Sequence, residues 1–487
     1  MSQQPKSILS GGLLPASIAI FSAVAIVAFE GLAVTAALPE LTAELGGVRL
    51  LPWVITAFLL ASGVTTAVAG NFIDALGTST VFRWSTVGFA LSSLAAALAP
   101  SMPVLVAARV LQGASGGAIV SVGLAAVALV YPNHLTGRAF AANSNVWGVL
   151  GFAGPAIAAA MLQVASWRWI FLIMVPICAG ALIAGWKALP GPVESSTLEV
   201  DWVSAGLLVV TVGALLGTVS DLSATSFGFL ALAAAAGGVL WRRMGRHRAP
   251  LLDRRFIAGH PYLQLSLAAS LSLAATMGLS AYLPVYIRGA RGGSAAMAAW
   301  SVLWLTIGWT VAANVAGRVT DRVSEYAVLK FGAASGVLTV GAAWAAVAFS
   351  APIPLIFATY FAMGMTVGTV TNAALQIVRL EVADHLAGRA TSVHAFMRSM
   401  GMSVGAGLAG GVILATVAAT VGEVSGVREA LAGEATDLAG EAVAAIGRGF
   451  TFAHIASLVL IVGAVLCVRG LTAPTGPRHT HGRSATS

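Results

Sequence analysis

The sequence predicts an all-α membrane protein with fourteen transmembrane helices, and three observations carry that prediction. Of its 487 residues, 58% are hydrophobic and 9% charged, with a mean hydropathy of +0.90, whereas soluble domains carry about 25% charged residues. The apolar residues fall into runs close to the roughly 20 residues that a helix needs to cross a bilayer. Basic residues, finally, gather in every second break between those runs.

Taken in order, the runs place helices at 16–38, 50–70, 82–99, 103–130, 139–163, 168–189, 202–220, 226–241, 263–287, 298–317, 328–349, 354–378, 390–419 and 450–469. The stretch before the first helix holds one Lys6 and no small-residue cleavage site, so no removable leader is expected. An even number of helices puts both termini on one side. That side carries Lys6, Arg83, Arg138, Lys187, Arg242, Arg243, Arg246, Arg248, Arg254, Arg255, Arg318, Arg322, Lys330, Arg379, Arg389, Arg469, Arg478 and Arg483, against Arg49, Arg168, Arg288, Arg291, Arg428 and Arg448 opposite. The positive-inside bias makes both termini cytoplasmic in a multi-pass protein of the cell (inner) membrane. The net charge of +8 therefore reports topology, and no nucleic-acid partner is expected. Cys178 and Cys467 lie in apolar runs without metal-ligand spacing and read as packing residues. No nucleophile with a base, metal cluster or phosphate loop is present, so no enzyme activity and no metal are expected.

The longest outward connection, 421–449, carries Glu423, Glu429, Glu434, Asp437 and Glu441, with Leu431, Ala435, Leu438, Ala442 and Ile446 at helical spacing. It reads either as an amphipathic helix on the outer surface or as a solvated acidic loop. Gly70 and Asp74 after the second helix recur as Gly317 and Asp321 after the tenth. That recurrence divides the chain into a six-helix bundle (1–190), two inserted helices with a cytoplasmic loop (191–258) and a second six-helix bundle (259–487).

Three charges sit inside apolar runs: Glu30, Arg109 and Arg398. A charge at the bilayer centre costs at least about 2.5 to 3.5 kcal/mol, so such groups pair with one another or line an ion or substrate path. Arg109 and Gln112 share a helix face, and Gly113, Gly116 and Gly117 admit a neighbouring backbone; a structural Arg that only fixes helix contacts is the competing reading. Gly148, Gly151 and Gly154 flatten one side of the fifth helix, and Pro155 removes a backbone bond.

Arg109-x-x-Gln112-Gly113, Gly154-Pro155, Trp167-Arg168-Trp169-Ile170-Phe171 with Val175-Pro176, Glu30-x-x-Ala33-x-x-Ala36-Ala37-Leu38-Pro39, Asp201-Trp202, Pro250-Leu251-Leu252-Asp253, and Arg398-x-x-Gly401 with Gly405 resemble the major facilitator superfamily. The resemblance is to its fourteen-helix drug:proton antiporter branch (EmrB/QacA-like multidrug exporters) and runs nearly end to end. It implies the major facilitator fold and antiport, with Asp74, Gly77, Gln112, Gly113, Gly154, Pro155, Asp321 and Arg322 in conformational motifs. The chain departs from the branch in having Glu30 in place of Asp. Its loop after the second helix, Gly70-Asn71-Phe72-Ile73-Asp74-Ala75-Leu76-Gly77, lacks the usual basic pair, and Ala158 and Ala159 end the glycine helix.

The expected function is proton-coupled export of small amphiphilic or cationic compounds by alternating access, with Glu30 exchanging the proton beside Arg109. Glu30 as a purely structural partner is the competing reading. Asn143, Asn145, Trp147, Tyr282, Asn314, Asn372, Gln376, His394 and Arg398 are the candidate cavity residues; interhelical bonding explains the polar ones, and interface anchoring the aromatic ones, equally well. The proton gradient replaces any cofactor, the partners are substrate, protons and the bilayer, and a monomer is expected. An exporter of an endogenous lipid, siderophore or antibiotic, and a non-transporting membrane sensor or partner protein, are the alternatives.

Overall fold

A computed structural model describes residues 7–191, 201–220, 225–246, 252–319, 323–382, 386–421 and 437–472. The helices are α1 (Leu14–Ala36), α2 (Leu38–Leu45), α3 (Leu51–Ala97), α4 (Met102–Val130), α5 (Asn133–Val164), α6 (Arg168–Leu172), α7 (Met174–Gly185), α8 (Trp202–Ser220), α9 (Thr225–Met244) and α10 (Arg254–Ala258). They continue with α11 (Tyr262–Gly289), α12 (Ala295–Val319), α13 (Glu325–Ala348), α14 (Ile353–Leu380), α15 (Ala387–Val421) and α16 (Asp437–Arg469). Among the described residues, twelve helices are long and apolar enough to cross a membrane. That is two fewer than the sequence reading. The two remaining apolar runs fall in the second limb of α3 and in α5, which are helical but outside that twelve.

Two local expectations are corrected. The segment 71–81, read as a loop, is helical, and α3 changes direction at one residue, Gly77, with φ 78° and ψ 155°. Only glycine adopts that conformation without strain, so the chain keeps its hydrogen-bonded backbone on both sides of a sharp bend. The outer segment before the last span does not lie flat on the surface from Asp437 onward: it continues straight into α16. Ala442, Ala445 and Ile446 are at most 1% exposed, so their stripe packs on the protein instead of on lipid. Residues 422–436 lie outside the described ones.

The internal repeat reappears in the helix packing. Gly113 and Gly117 of α4 lie so close to α3 that a Cβ would overlap the carbonyl oxygens of Phe58 and Ser62. In the second half, Gly364 of α14 meets the Leu305 carbonyl of α12 in the same way, and Gly368 abuts Trp309 one turn on. Glycines four apart thus seat the same helix pair in each half, because only a missing Cβ lets two backbones touch. Gly401 and Gly405 of α15 seat on the backbone of Ser270 and Ala274 in α11 by the same device. Of the repeated loop itself, the Asp74 side chain, Asp321 and Arg322 lie outside the described residues.

The two halves share an apolar core at the end that the charge bias marks as outer, where α1, α3 and α4 pack with Leu279–Ile287 of α11 and Ala406–Val417 of α15. At the opposite end a second core, built from one end each of α11, α13, α14 and α15 with α8 and α9, takes only Val64 from the first bundle among its buried members. The bundle is therefore closed outside. The α8–α9 hairpin lies against α3 and α15, with Gly407 and Gly411 of α15 receiving Val219 and Ser220. Its open end is tied by Asp201, which accepts from Arg243 Nη2 at 2.8 Å and caps Ser204 N at 3.1 Å. The Arg243 and Ser204 contacts hold the Asp201 carboxyl well below the usual carboxylate range.

These seats predict that Gly113→Ala and Gly364→Ala each destabilise the folded protein by about 1–3 kcal/mol through overpacking. Gly238→Ala, at a site with nothing within 4 Å, is expected to be neutral in the same thermal unfolding experiment.

Candidate functional site

The buried charge of the first bundle is organised by three helices. The close α3–α4 seat at Gly113 brings Arg109 down onto α3, where its Nε donates to the Val54 carbonyl at 2.9 Å and its guanidinium lies 4.3 Å from the Phe58 ring centroid. Nη1 donates to Gln112 Oε1 at 2.7 Å, and Gln112 Nε2 donates to Ser93 Oγ at 2.8 Å in the far limb of α3. From α1, Glu30 forms an ion pair with Arg109. Glu30 is 0% exposed and Arg109 2% exposed. Among the described residues the carboxylate has no hydrogen-bond donor beyond that pair.

An isolated ion moved into low dielectric is penalised far more than a matched pair, so each of these two groups makes the burial of the other tolerable. Glu30 and Arg109 are thus brought together as the sequence suggested. The Glu30 carboxyl is sealed among the helices, with no exposure to either aqueous side.

The remaining candidates are dispersed. Tyr282 is 1% exposed and sits at the outer seam between the halves, its hydroxyl filling the space beside Gly410 and next to Pro52 of α3. It is a packing residue here, not a cavity wall. Asn314 and Asn372 donate to their own helices, to Thr310 and Gly368 carbonyls at 2.8 and 2.7 Å, with Asn314 exposed. Gln376 is half-buried one turn beyond Asn372, and Asn145 is exposed on α5, while the side chains of Asn143, Trp147 and Pro155 lie outside the described residues. Gly154 is buried in α5. His394 is 1% exposed with Nδ1 3.0 Å from Ser266 Oγ of α11, and Arg398 follows one turn later on the same face of α15.

Sequence reasoning missed the outer rim. Glu44 of α2 pairs with Arg168 and accepts from Trp167 Nε1 at 2.7 Å, while Arg168 Nη2 reaches the Ala99 carbonyl at 3.2 Å. The Trp167-Arg168 motif is therefore a clamp across α2, the α3–α4 turn and α6. Also on α2, both Glu40 oxygens are buried without a hydrogen-bond partner among the described residues. Burial pushes this carboxyl up from 4.5 to about 6, against the pull of Arg288 at the end of α11. The sign is that of a raised carboxylate: closing the outer side is favoured at low pH, and the advantage is lost as pH rises from 4.5 toward about 6. A cavity of about 420 Å³ opens on the same side, lined by Tyr286, Arg291, Ser350, Arg448 and Phe452, within the second half and not between the halves.

Two outcomes are expected. Glu30→Gln and Arg109→Gln each destabilise by about 3–5 kcal/mol, because each strands a buried charge, and the double variant loses clearly less than the sum; equilibrium unfolding of all three measures it. Spin labels placed on α2 and at Gly292 beyond α11 should report a closed outer distance at about pH 5 that opens toward about pH 7, with the Glu40→Gln protein insensitive to pH.

Comparison with known proteins fits this architecture. A family model described as Major Facilitator Superfamily matches residues 19–406. The chain is 34% identical over 215 residues to an uncharacterized transporter, YebQ, of Escherichia coli, covering 44% of this chain and 46% of that protein. It is 31% identical over 290 residues to a probable multidrug-efflux transporter, Rv1634, of Mycobacterium tuberculosis, covering 56% of this chain and 60% of that one. The chain thus spans about half the length of the relatives it matches. In fold it resembles an inward-facing bacterial homolog of the human lysosomal transporter Spinster, with TM-score 0.65, 13% identity and 94% and 95% of the two chains covered. It also resembles a D-xylose-proton symporter, with TM-score 0.63, 11% identity and 95% and 100% covered. With the family model matching most of its length and the bundle packed as two repeated halves, the chain belongs to the major facilitator superfamily.

Proposed function

We propose that this chain is a proton-coupled exporter of small amphiphilic compounds that works by alternating access, in the multidrug-efflux manner. The observation that carries the reading is the Glu30–Arg109 pair, sealed between α1, α3 and α4 of a bundle closed on its outer side. Protonating Glu30 cancels the charge that holds Arg109, leaving the guanidinium on the Val54 carbonyl and Gln112 alone. That loss loosens the α1–α4 contact, so the proton and the conformation are linked through one interaction. The relatives' printed names, several of them transporters and some multidrug-efflux transporters, support the class. The expectation of cationic cargo narrows here, because the one acid deep in a span is already matched by Arg109.

The reading extends to the chain's organisation. With the far limb of α3 and α5 added to the twelve apolar helices, the membrane is crossed fourteen times, with both termini in the cytoplasm of the cell it serves. Bundles at 1–190 and 259–487 form the two rocking halves, and α8 and α9, within 191–258, are the insertion of the fourteen-helix drug:proton antiporter branch. Exposed Phe227, Leu230, Leu232 and Val239 on α9 suit a lipid-facing helix.

The test is efflux of a fluorescent amphiphile from cells or proteoliposomes, with and without a proton uncoupler. Export that collapses with the gradient is expected, and Glu30→Gln should reduce gradient-driven efflux at least about tenfold. Undiminished gradient-driven transport by that variant would remove Glu30 from the coupling step.

A further inference from the structure

Charge inside the bundle does not balance among the described residues. Of the three ionised side chains deep in apolar helices, Glu30 and Arg109 neutralise each other. Arg398 has no ion-pair or hydrogen-bond partner among the described residues, and its Nε is buried and unsatisfied. The residue as a whole is half-buried. A guanidinium cannot shed its charge in a protein, and at this depth an unmatched cation is expensive.

Its surroundings supply further donors. His394, one turn earlier on the same face of α15, keeps Nδ1 at 3.0 Å from Ser266 Oγ and leaves Nε2 buried without a partner. In the tautomer whose Nδ1 accepts from the Ser266 hydroxyl, the ring proton resides on Nε2 and makes it an unused donor. Gly401, one turn later, seats on the backbone of Ser270, whose hydroxyl is also buried and unpartnered. The α11–α15 seam from Ser266 to Ser270 therefore presents a cation with an unpartnered ring nitrogen and an unpartnered hydroxyl. No carboxylate answers them among the described residues.

We infer that Arg398, with His394 Nε2 and the Ser270 hydroxyl beside it, binds the singly charged oxyanion head of an amphiphilic substrate: a carboxylate, phosphate ester or sulfonate on an apolar body. One unmatched guanidinium calls for one negative charge, and its planar fork fits an oxyanion's paired oxygens. This substrate class rests on the export reading. A free small anion offers the same head chemistry and is separated from an amphiphile by the experiment.

Binding is measured on the full chain in nanodiscs of zwitterionic lipid, with decanoate, decyltrimethylammonium and inorganic phosphate as probes. Decanoate is expected to bind at least about tenfold more tightly than the cation of equal chain length. Arg398→Gln should weaken decanoate by about ten- to a hundredfold, with Arg398→Lys in between because it keeps the charge and loses the fork. Phosphate that displaces decanoate assigns the site to a free anion; phosphate that fails to do so assigns it to the amphiphile. The inference is overturned if decyltrimethylammonium binds the unaltered protein as well as decanoate, a result that needs no variant to fold. Unchanged decanoate affinity in an Arg398→Gln protein with the native thermal transition also overturns it. Decanoate binding as expected with no gradient-driven efflux of any amphiphile would instead sink the export reading and leave the anion site standing.

Discussion

A charge inside this bundle must be matched, because neither lipid nor apolar side chains can solvate it, and the Glu30–Arg109 contact is where that constraint acts hardest. The pair draws α1 onto α4. Arg109 in turn ties α4 to the Val54 carbonyl, and Gln112 extends the tie to Ser93 in the far limb of α3. Four helical segments of the first bundle are thus registered through one ionic contact and its hydrogen bonds. Anything that changes the charge of Glu30 is felt by all of them.

What makes the contact geometrically possible is the absence of side chains. Gly113 and Gly117 let α4 touch the α3 backbone, and Gly364 and Gly368 do the same for α14 on α12. Helices in lipid gain little from hydrophobic burial against each other, so close backbone approach and dispersion carry the packing. The same economy recurs at the outer seam, where Gly410 makes room for Tyr282 against Pro52 of the other half. Above that seam the Glu40 carboxyl, raised to about 6 by burial, gives the closed outer side a chemical bias that the apolar contacts alone lack.

Much of the candidate site was legible because its signals are local. Arg109 and Gln112 are three apart on one helix, and a lone Glu30 in an apolar run has few partners to choose from. The glycine spacing of α4 announced a close neighbour. Less legible were features formed by residues distant in sequence: the Ser93 anchor, the clamp of Glu44 with Trp167 and Arg168, and the burial of Glu40. Tyr282 reads equally as a cavity residue or an interface anchor, because periodicity does not say what faces it, and the fold packs it against Gly410 and Pro52. The segment 71–81 was read as a loop because its polar residues interrupt the hydropathy, whereas the helix runs on to Gly77, the one position that leaves helical geometry.

By itself the sequence determined that the chain is a multi-pass helical membrane protein and which few charges and close-packing glycines lie inside its apolar runs. These follow from composition and period, since hydrophobic length and charge bias act residue by residue. Only the tertiary structure decided that Glu30 is matched while Arg398 has no partner among the described residues, that the two halves close at the Glu40 end, and that Glu40 is buried there. Matching and burial depend on which helices touch, and that is settled by where backbones can approach across the fold.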